Sequence, residues 1–227
     1  DDDLSRGLGD VYKRQGELQA RVNRLATGLI HLGIKPGDRV GIWGPNSSEW
    51  VLVQLATAKI GAIMVCINPA YRLYELEYAL NRVECKTLIT DVSFKTSDYL
   101  RMINTLAPEL ESSHPGQLEA EKLPHLKHVI RMGSDTTPGM YNFDVVCAAG
   151  TAEDQAIMDA LQPALQPDDA INIQFTSGTT GNPKGATLSH CNILNNGFLT
   201  GLAMQLGPED KLCIPVPLYH CFGMVLS

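Results

Sequence analysis

The chain has 227 residues, of which 44% are hydrophobic and 19% are charged. This composition is ordinary for a globular protein and excludes both wholesale disorder and a fibrous repeat. With 25 acidic side chains against 18 Lys and Arg, the formal net charge is −7, so we expect no nucleic-acid partner. Any anionic ligand must be held by local donors, because the overall field repels it.

The six cysteines are scattered along the chain, and no two of them have the spacing of a zinc knuckle or a redox pair. Scattered thiols in a chain of this size favour a reducing compartment over a disulfide framework. Residues 50–67 are apolar enough to resemble a membrane span, but Gln54, Thr57 and Lys59 interrupt them. We therefore predict a buried helix followed by a buried strand there, and no transmembrane segment.

The first fifteen residues differ in pattern from the rest. Residues 1–15 form neither an apolar signal region nor an Arg-rich, acid-poor transit peptide. They fit nothing downstream, so we set them apart as an atypical leader whose native origin stays open. After them the pattern becomes regular, with apolar residues at helical spacing and Gly33 placed as a C-cap.

Downstream, helical and strand patterns alternate with short connections. Helices are predicted over residues 17–32, 49–60, 74–83, 93–106, 153–161 and 189–206. Strands are predicted over residues 39–43, 62–67, 86–90, 128–132 and 170–175, with a surface loop over 108–124. This alternation argues for an α/β fold with a mostly parallel sheet covered by helices on both faces. We expect the hydroxyl of Ser47 or Ser48 to cap the second helix.

The most informative segment follows the last predicted strand and precedes the last predicted helix. It reads Thr176, Ser177, Gly178, Thr179, Thr180, Gly181, Asn182, Pro183, Lys184 and Gly185. A loop that leaves the carboxyl end of a parallel strand is where α/β proteins bind ligands. Glycines bring backbone amides close to an anion, hydroxyls add neutral donors, and Lys184 adds a positive charge beside the stiffening Pro183. These are the parts needed to wrap a polyphosphate.

The segment differs from two other phosphate loops. A Walker A loop has Gly before its Lys and Ser or Thr after it, where this chain has Pro183 and Gly185. The GxGxxG spacing of dinucleotide-binding loops is also missing. A flexible linker uses the same residue types, yet linkers rarely place Pro-Lys-Gly between a strand and a capped helix. The pattern therefore favours a phosphate-binding loop.

Residues 176–185 resemble the phosphate loop of the adenylate-forming enzymes, which include acyl-CoA synthetases, firefly luciferase and peptide-synthetase adenylation domains. Further matches occur in the family's order, at Gly37-Asp38-Arg39-Val40, Pro45-Asn46, Gly61-Ala62, Asn68-Pro69, Ser189-His190 and Pro217-Leu218-Tyr219-His220. The resemblance covers about residues 16–227 and implies the N-terminal portion of an AMP-binding (adenylation) domain, with the C-terminal domain absent. Within the family, the chain is most similar to the mitochondrial medium-chain acyl-CoA synthetases.

The resemblance implies a two-step ligase reaction. A fatty acid carboxylate attacks the α-phosphorus of ATP and releases pyrophosphate, and the thiol of coenzyme A then displaces AMP from the acyl-adenylate. It implies that residues 176–184 bind the β- and γ-phosphates with Mg²⁺, and that Lys184 is catalytic through charge neutralisation. It also implies the mitochondrial matrix as the compartment, although no targeting segment is visible.

His220 lies in a proline-rich stretch that predicts a strand end and a turn. By resemblance, His220 is a catalytic donor that orients the acyl carboxylate and the α-phosphate, and Phe222 with Gly223 forms a wall of the acyl pocket. Without the family context, a capping or core-edge histidine explains His220 equally well. Cys221 beside it suggests a Cys/His nucleophile, which we disfavour because neighbours on an extended chain point to opposite faces.

Other candidate residues are given structural roles. We expect Tyr71, Tyr74 and Tyr78 to be packing residues and His128 to be solvated, and we predict no metal ligands within the chain. Ser189 is the predicted cap of the last helix, with His190 beside it.

Several residues that the family needs do not occur in the chain, among them the magnesium-binding glutamate and the lysine of the C-terminal domain. We therefore expect the chain by itself to form no acyl-adenylate and to expose apolar strand surface. Two alternatives stay open. One is an amino-acid or aryl-acid adenylating domain that uses the same loop, and the other is a non-catalytic nucleotide-binding module.

Overall fold

The computed structural model describes residues 2–176 and 181–225. Within the first helix, side chains are described from residue 15 onward. In chain order the elements are α1 (Asp2–His31), β1 (Arg39–Trp43), α2 (Ser48–Lys59), β2 (Ile63–Ile67), α3 (Leu73–Arg82), β3 (Thr87–Thr90), β4 (Ser93–Phe94), β5 (Ser97–Asp98), α4 (Tyr99–Leu106), β6 (His128–Arg131), β7 (Tyr141–Asn142), α5 (Phe143–Ala149), α6 (Ala152–Leu161), β8 (Ala170–Thr176), β9 (Lys184–Ser189), α7 (His190–Ala203) and α8 (Cys221–Val225).

The strands form a seven-stranded sheet in the order β7-β6-β3-β1-β2-β8-β9. Every neighbouring pair is parallel except β8 and β9, which are antiparallel. β4 and β5 make a separate two-stranded hairpin. The interior strands β1, β2 and β3 are apolar and rich in β-branched residues, as expected for strands that are buried on both faces. The predicted α/β class with a mostly parallel sheet is confirmed.

Each face of the sheet carries its own core, because successive side chains of a strand point to opposite faces. In β2, Met64 and Cys66 pack with residues of α1, α2, α5 and α6 on the first face. Val65 and Ile67 pack with residues of α3 and α4 on the second face. The prediction that helices cover both faces is confirmed.

The first helix is longer than its predicted range, because it begins at Asp2 and includes most of the set-aside leader. It ends at His31, one residue before its predicted end, and Gly33 has a φ of 79°, in the left-handed region that glycine adopts readily. The predicted hydroxyl cap of α2 is wrong, since the side chain of Ser47 at its N-cap makes no capping hydrogen bond. None of the helices among the described residues is long and apolar enough to cross a bilayer.

Two predicted ranges need correction on the second face, and one stretch at the sheet edge contains elements that were not predicted. The predicted helix over residues 93–106 is wrong in its first part, which forms the β4–β5 hairpin around Lys95 with a φ of 53°. The predicted surface loop over 108–124 instead covers the second core, where its side chains Leu110 and Leu123 are buried. β7 and α5 lie in a Gly/Pro-bearing stretch for which no element was predicted.

Candidate functional site

The carboxyl ends of β1, β2, β3 and β8 meet at one edge of the sheet, where open α/β sheets bind ligands. The segments that follow these strands therefore lie near one another. A cavity of about 380 Å³ lies among them and is lined by residues after β1 and β2, by the β4–β5 hairpin and by the segment that precedes α8. Asn46, Asn68, Lys95 and Tyr219 are among its lining residues.

The predicted phosphate loop begins at the end of β8, as expected, but it leads into a strand. Thr176 pairs with Lys184 in the antiparallel β8–β9 ladder, and the Thr176 hydroxyl donates to the Lys184 carbonyl at 3.4 Å. The helix α7 begins within one residue of its predicted start near Ser189, but residues 184–189 form β9, a strand that was not predicted. The first four residues of β9 are exposed, and its sequence contains no continuous apolar run that would predict a strand.

Part of the predicted loop can be placed. Ser177, Gly178, Thr179 and Thr180 lie outside the described residues. Gly181 has a φ of 141°, a backbone conformation that residues other than glycine rarely adopt. This agrees with the prediction that glycines give the loop backbone its freedom. Lys184 is the first residue of β9 and its side chain is exposed to solvent. The phosphate-binding roles of residues 176–184 stay predictions.

Two tyrosines near the start of α3 approach the two ends of this loop. Tyr71 is half-buried and lies edge-on to Phe175, with 6.4 Å between ring centroids, and burial raises the pKa of Tyr71 to about 12. Tyr74 is 66% exposed, and its hydroxyl donates to Oδ1 of Asn182 at 3.1 Å. The packing role predicted for Tyr74 is therefore wrong. Its contact with the loop had no signal in the sequence, since the two residues are far apart in the chain.

His220 ends a turn and precedes α8. Its Nδ1 accepts a hydrogen bond from the backbone N–H of Phe222 at 3.2 Å, and its carbonyl accepts from Gly223 and Met224 at 2.9 and 3.0 Å. The side chain thus caps the start of α8, which matches the structural alternative stated for it. Its predicted role beside the acyl carboxylate stays a prediction.

The segment before His220 is anchored by a residue for which sequence reasoning had no specific role. Asn46, which follows β1, donates from Nδ2 to the carbonyl of Val216 at 2.9 Å. Its Oδ1 accepts from the backbone N–H of Leu218 at 2.8 Å. These two hydrogen bonds hold the segment against the carboxyl edge, so the position of His220 depends on β1.

Cys221 and His220 do not point to opposite faces, because Cys221 begins a helix rather than continuing an extended strand. The Sγ of Cys221 lies 3.8 Å from Nδ1 of His220. That nitrogen already accepts the Phe222 N–H, so it is not free to take a proton from the thiol. The conclusion against a Cys/His nucleophile therefore rests on this hydrogen bond.

The two predicted pocket-wall residues differ in their surroundings. Phe222 is 55% exposed, whereas Gly223 is buried and a Cβ there would overlap the carbonyl oxygen of Pro217. Next to Gly223, the sulfur of Met224 accepts from the amides of Asn172 and Gln174 at 3.1 and 3.4 Å. Both amides lie on β8 and are buried, and sequence analysis did not single them out. The pocket-wall role stays a prediction.

Of two further predictions, the one for His128 is wrong and the one for Ser189 is confirmed. His128 is buried rather than solvated, and burial, with a smaller contribution from Lys86, lowers its pKa from 6.5 to about 4. Ser189 caps α7 as predicted, accepting from the backbone N–H of Asn192 at 3.2 Å. Within the part of the chain that the structure describes, no three His, Cys, Asp or Glu side chains are grouped so as to hold a metal ion.

Comparison with known proteins extends these observations. The profile of the family described as AMP-binding enzyme matches residues 15–227. The mitochondrial medium-chain acyl-CoA ligase ACSF2 of Danio rerio is 45% identical over 217 residues, which is 95% of this chain and 36% of that ligase. The chain thus spans about a third of the length of the curated relatives it matches.

Solved structures give the same result for the fold. A putative long-chain-fatty-acid CoA ligase from Rhodopseudomonas palustris superposes with a TM-score of 0.71 at 25% identity, covering 92% of this chain and 46% of that one. ATP-bound MatB from the same organism superposes with a TM-score of 0.69 at 27% identity, covering 93% and 36%.

Proposed function

Because the chain belongs to the AMP-binding enzyme family, we propose that it supplies the nucleotide-phosphate site of an ATP-dependent fatty acid–CoA ligase. The observation that carries the proposal is that β8 ends at Thr176 and β9 begins at Lys184, so these two described residues lie at the carboxyl edge of the sheet. Ligands of α/β proteins bind at this edge. We therefore expect the loop between them to bind a polyphosphate there.

The first step joins two anions, since a carboxylate oxygen attacks the α-phosphorus of ATP and pyrophosphate leaves. The protein must then supply positioning and neutralisation of phosphate charge. Lys184 is exposed at the end of the loop, and the net charge of −7 makes such a local cation necessary. In this proposal Lys184 and the loop donors from Thr176 to Thr180 bind the β- and γ-phosphates.

In the second step, the sulfur of coenzyme A attacks the acyl carbon of the adenylate and AMP leaves. His220 is proposed to lie beside the acyl carboxylate and the α-phosphate, with Phe222 and Gly223 bordering the acyl chain. Since Nδ1 of His220 accepts the Phe222 N–H, only Nε2 is left to donate to a substrate oxygen. The hydrogen bond to the helix thus selects the tautomer that this role requires.

Magnesium is part of the proposal as a partner of the ATP phosphates. The residues that the structure describes hold no cluster of three or more acidic or other metal-ligating side chains. These residues by themselves therefore do not form a complete magnesium site. Relatives that are 45% and 46% identical are named as mitochondrial and medium-chain, so we propose a medium-chain fatty acid as substrate and the mitochondrial matrix as compartment.

The nucleotide part of the proposal is tested by titrating the chain with ATP and measuring the heat of binding. Lys184→Ala is expected to weaken binding about ten- to a hundredfold, as for the loss of a charge-assisted hydrogen bond. Lys211→Ala is the matched control, because it removes the same charge at an exposed site that follows α7. Equal affinity of the wild type and the Lys184→Ala variant would refute the loop assignment.

The acid substrate is tested in a hybrid protein in which this chain replaces the matching part of the Danio rerio ligase. ATP–pyrophosphate exchange that depends on octanoate is the expected result. Exchange that depends on an amino acid or an aryl acid would favour the alternative adenylating domain. A hybrid that binds ATP but shows no exchange with any acid would favour the non-catalytic module.

A further inference from the structure

We propose that Tyr74 is a positioning residue for the phosphate loop, which it holds through the side chain of Asn182. The inference rests on the proposed function, because it assumes that the loop binds the ATP phosphates. Tyr74 is the second residue of α3, and Asn182 lies 108 residues later in the chain. The hydrogen bond between them joins an element of the second face of the sheet to the loop, two residues before Lys184.

The support beneath Tyr74 is rigid. Two buried rings, Trp43 and Tyr99, stack with 3.8 Å between their centroids, and each donates a hydrogen bond to the turn that precedes α3. Trp43 Nε1 donates to the carbonyl of Asn68 at 3.2 Å, and the Tyr99 hydroxyl donates to that of Pro69 at 2.6 Å. The first turn of α3 is therefore fixed to the second core and can serve as an anchor for the loop.

The start of α3 is fixed by its own cap as well. The backbone N–H of Arg72 donates to Oε2 of Glu75 at 3.1 Å, and the carbonyl of Arg72 accepts from Leu76 at 2.9 Å. Leu76 is fully buried in the second core. These contacts keep the backbone of Tyr74 in place, although the tyrosine ring itself is mostly exposed.

The described residues 181–183 of the loop, in contrast, lie outside the strand ladder. The ladder ends at Thr176 and Lys184, and the first four residues of β9 are exposed. A hydrogen bond from a rigid helix to Asn182 therefore restricts the arm of the loop that leads to Lys184. Because the Tyr74 ring buries little surface, its packing contributes little to global stability, and the hydroxyl is the group that makes this contact.

If the tether orders the loop before the nucleotide arrives, its loss weakens binding of the phosphates that the loop contacts and of no others. In Tyr74→Phe, the affinity for ATP is expected to fall about two- to tenfold, the range for one neutral hydrogen bond. The affinity for AMP, which lacks the β- and γ-phosphates, is expected to stay unchanged. Asn182→Ala should have the same effect, and the double variant should add nothing further.

Tyr78→Phe is the matched control, because Tyr78 lies one turn along α3 and its hydroxyl makes no hydrogen bond to any of the described residues. A second measurement needs no nucleotide. Trypsin cleavage after Lys184, followed by mass spectrometry, is expected to be about two- to tenfold faster in Tyr74→Phe than in the wild type or in Tyr78→Phe.

The outcomes separate this inference from the proposed function. Equal cleavage rates in the Tyr74 and Tyr78 variants would overturn the tether. If the wild type binds ATP and Tyr74→Phe binds it with equal affinity, the positioning role alone would be overturned. A parallel loss of ATP and AMP affinity would also overturn it, because it would indicate a general structural effect. A wild type that binds no ATP would refute the proposed function itself.

Discussion

The part of the chain before the phosphate loop and residues 184–203, which follow the loop, differ in how they are held. In the first, β1, β2 and β3 are buried on both faces, and side chains such as Leu25 and Leu88 are fully enclosed. In the second, the exposed β9 leads into α7, all of which the structure describes and none of whose residues is buried. Leu194 and Phe198 of α7 are 73% and 62% exposed.

The phosphate loop lies at the border between these two parts. One end is joined to β8, which packs against both cores, and the other is joined to the exposed β9. The packed part therefore determines global stability, while β9 and α7 are expected to unfold locally at a lower free-energy cost. Substitutions in the loop are expected to change ligand binding with little effect on unfolding. The exposed apolar surface was predicted for a strand, whereas the exposed apolar side chains Leu194 and Phe198 lie on helix α7.

The largest expected effect on the free energy of unfolding comes from a comparison of two leucines, one in a helix of each part. Leu25→Ala in α1 removes a fully buried side chain from the first core and is expected to cost about 2–5 kcal/mol of unfolding free energy. Leu194→Ala in α7 should stay within about 0.5 kcal/mol of the wild type. Urea denaturation of both variants measures this difference. A comparable loss in both would mean that α7 is packed as firmly as α1.

Acidification tests whether His128, which is buried in the packed part, stays uncharged in the folded protein. The pKa of His128 is lowered to about 4, so the unfolded chain takes up a proton near pH 6.5 while the folded chain does not. Stability is therefore full above pH 6.5 and falls as the pH drops toward 4, by about 2 kcal/mol at pH 5.

Lys86 and Lys127 near His128 add to this effect, while Asp38 opposes it. Urea titrations at pH 7 and pH 5 measure the loss. His128→Gln carries no titrating ring at this position, so it should lose about 2 kcal/mol less than the wild type between the two pH values. An equal loss in the two proteins would show that the histidine takes up its proton while folded.

Two similar helix caps sharpen the comparison. Thr151 caps α6 and exchanges hydrogen bonds with Asp154, whose pKa is lowered chiefly by the backbone N–H and hydroxyl of Thr151. Thr151→Ala is expected to lower global stability by about 1 kcal/mol. Ser189→Ala removes the matching cap of α7 and should speed amide exchange in that helix while lowering global stability by less than about 0.5 kcal/mol. Equal global losses would contradict the division into two parts.

The smallest effect on unfolding is expected at the loop. Lys184→Ala changes an exposed side chain on an edge strand, so its free energy of unfolding should stay within about 0.5 kcal/mol of the wild type. The same variant is the one expected to lose ATP affinity most strongly. A large loss of stability in Lys184→Ala would mean that its effect on binding reports misfolding rather than a missing contact.

Prediction from sequence succeeded where the signal is local. β1, β2, β3, β6 and β8 lie within one or two residues of their predicted ranges, because short apolar runs with turn residues on both sides mark them. It failed for β4, β5, β7 and β9, which are short or exposed and exist only because a neighbouring strand pairs with them.

The amino-acid sequence by itself determined the alternation of strands and helices, the family-specific loop residues from Thr176 to Lys184 and the cap at Ser189. The alternation and the cap depend on residues a few positions apart, so local propensity and spacing reveal them, whereas the loop was identified by its resemblance to the adenylate-forming enzymes. Only the tertiary structure decided that the loop joins two strands, that Asn46 anchors the segment before His220 and that Tyr74 contacts Asn182. Each of these contacts joins residues far apart in the chain, and the assembled sheet brings them together at its carboxyl edge.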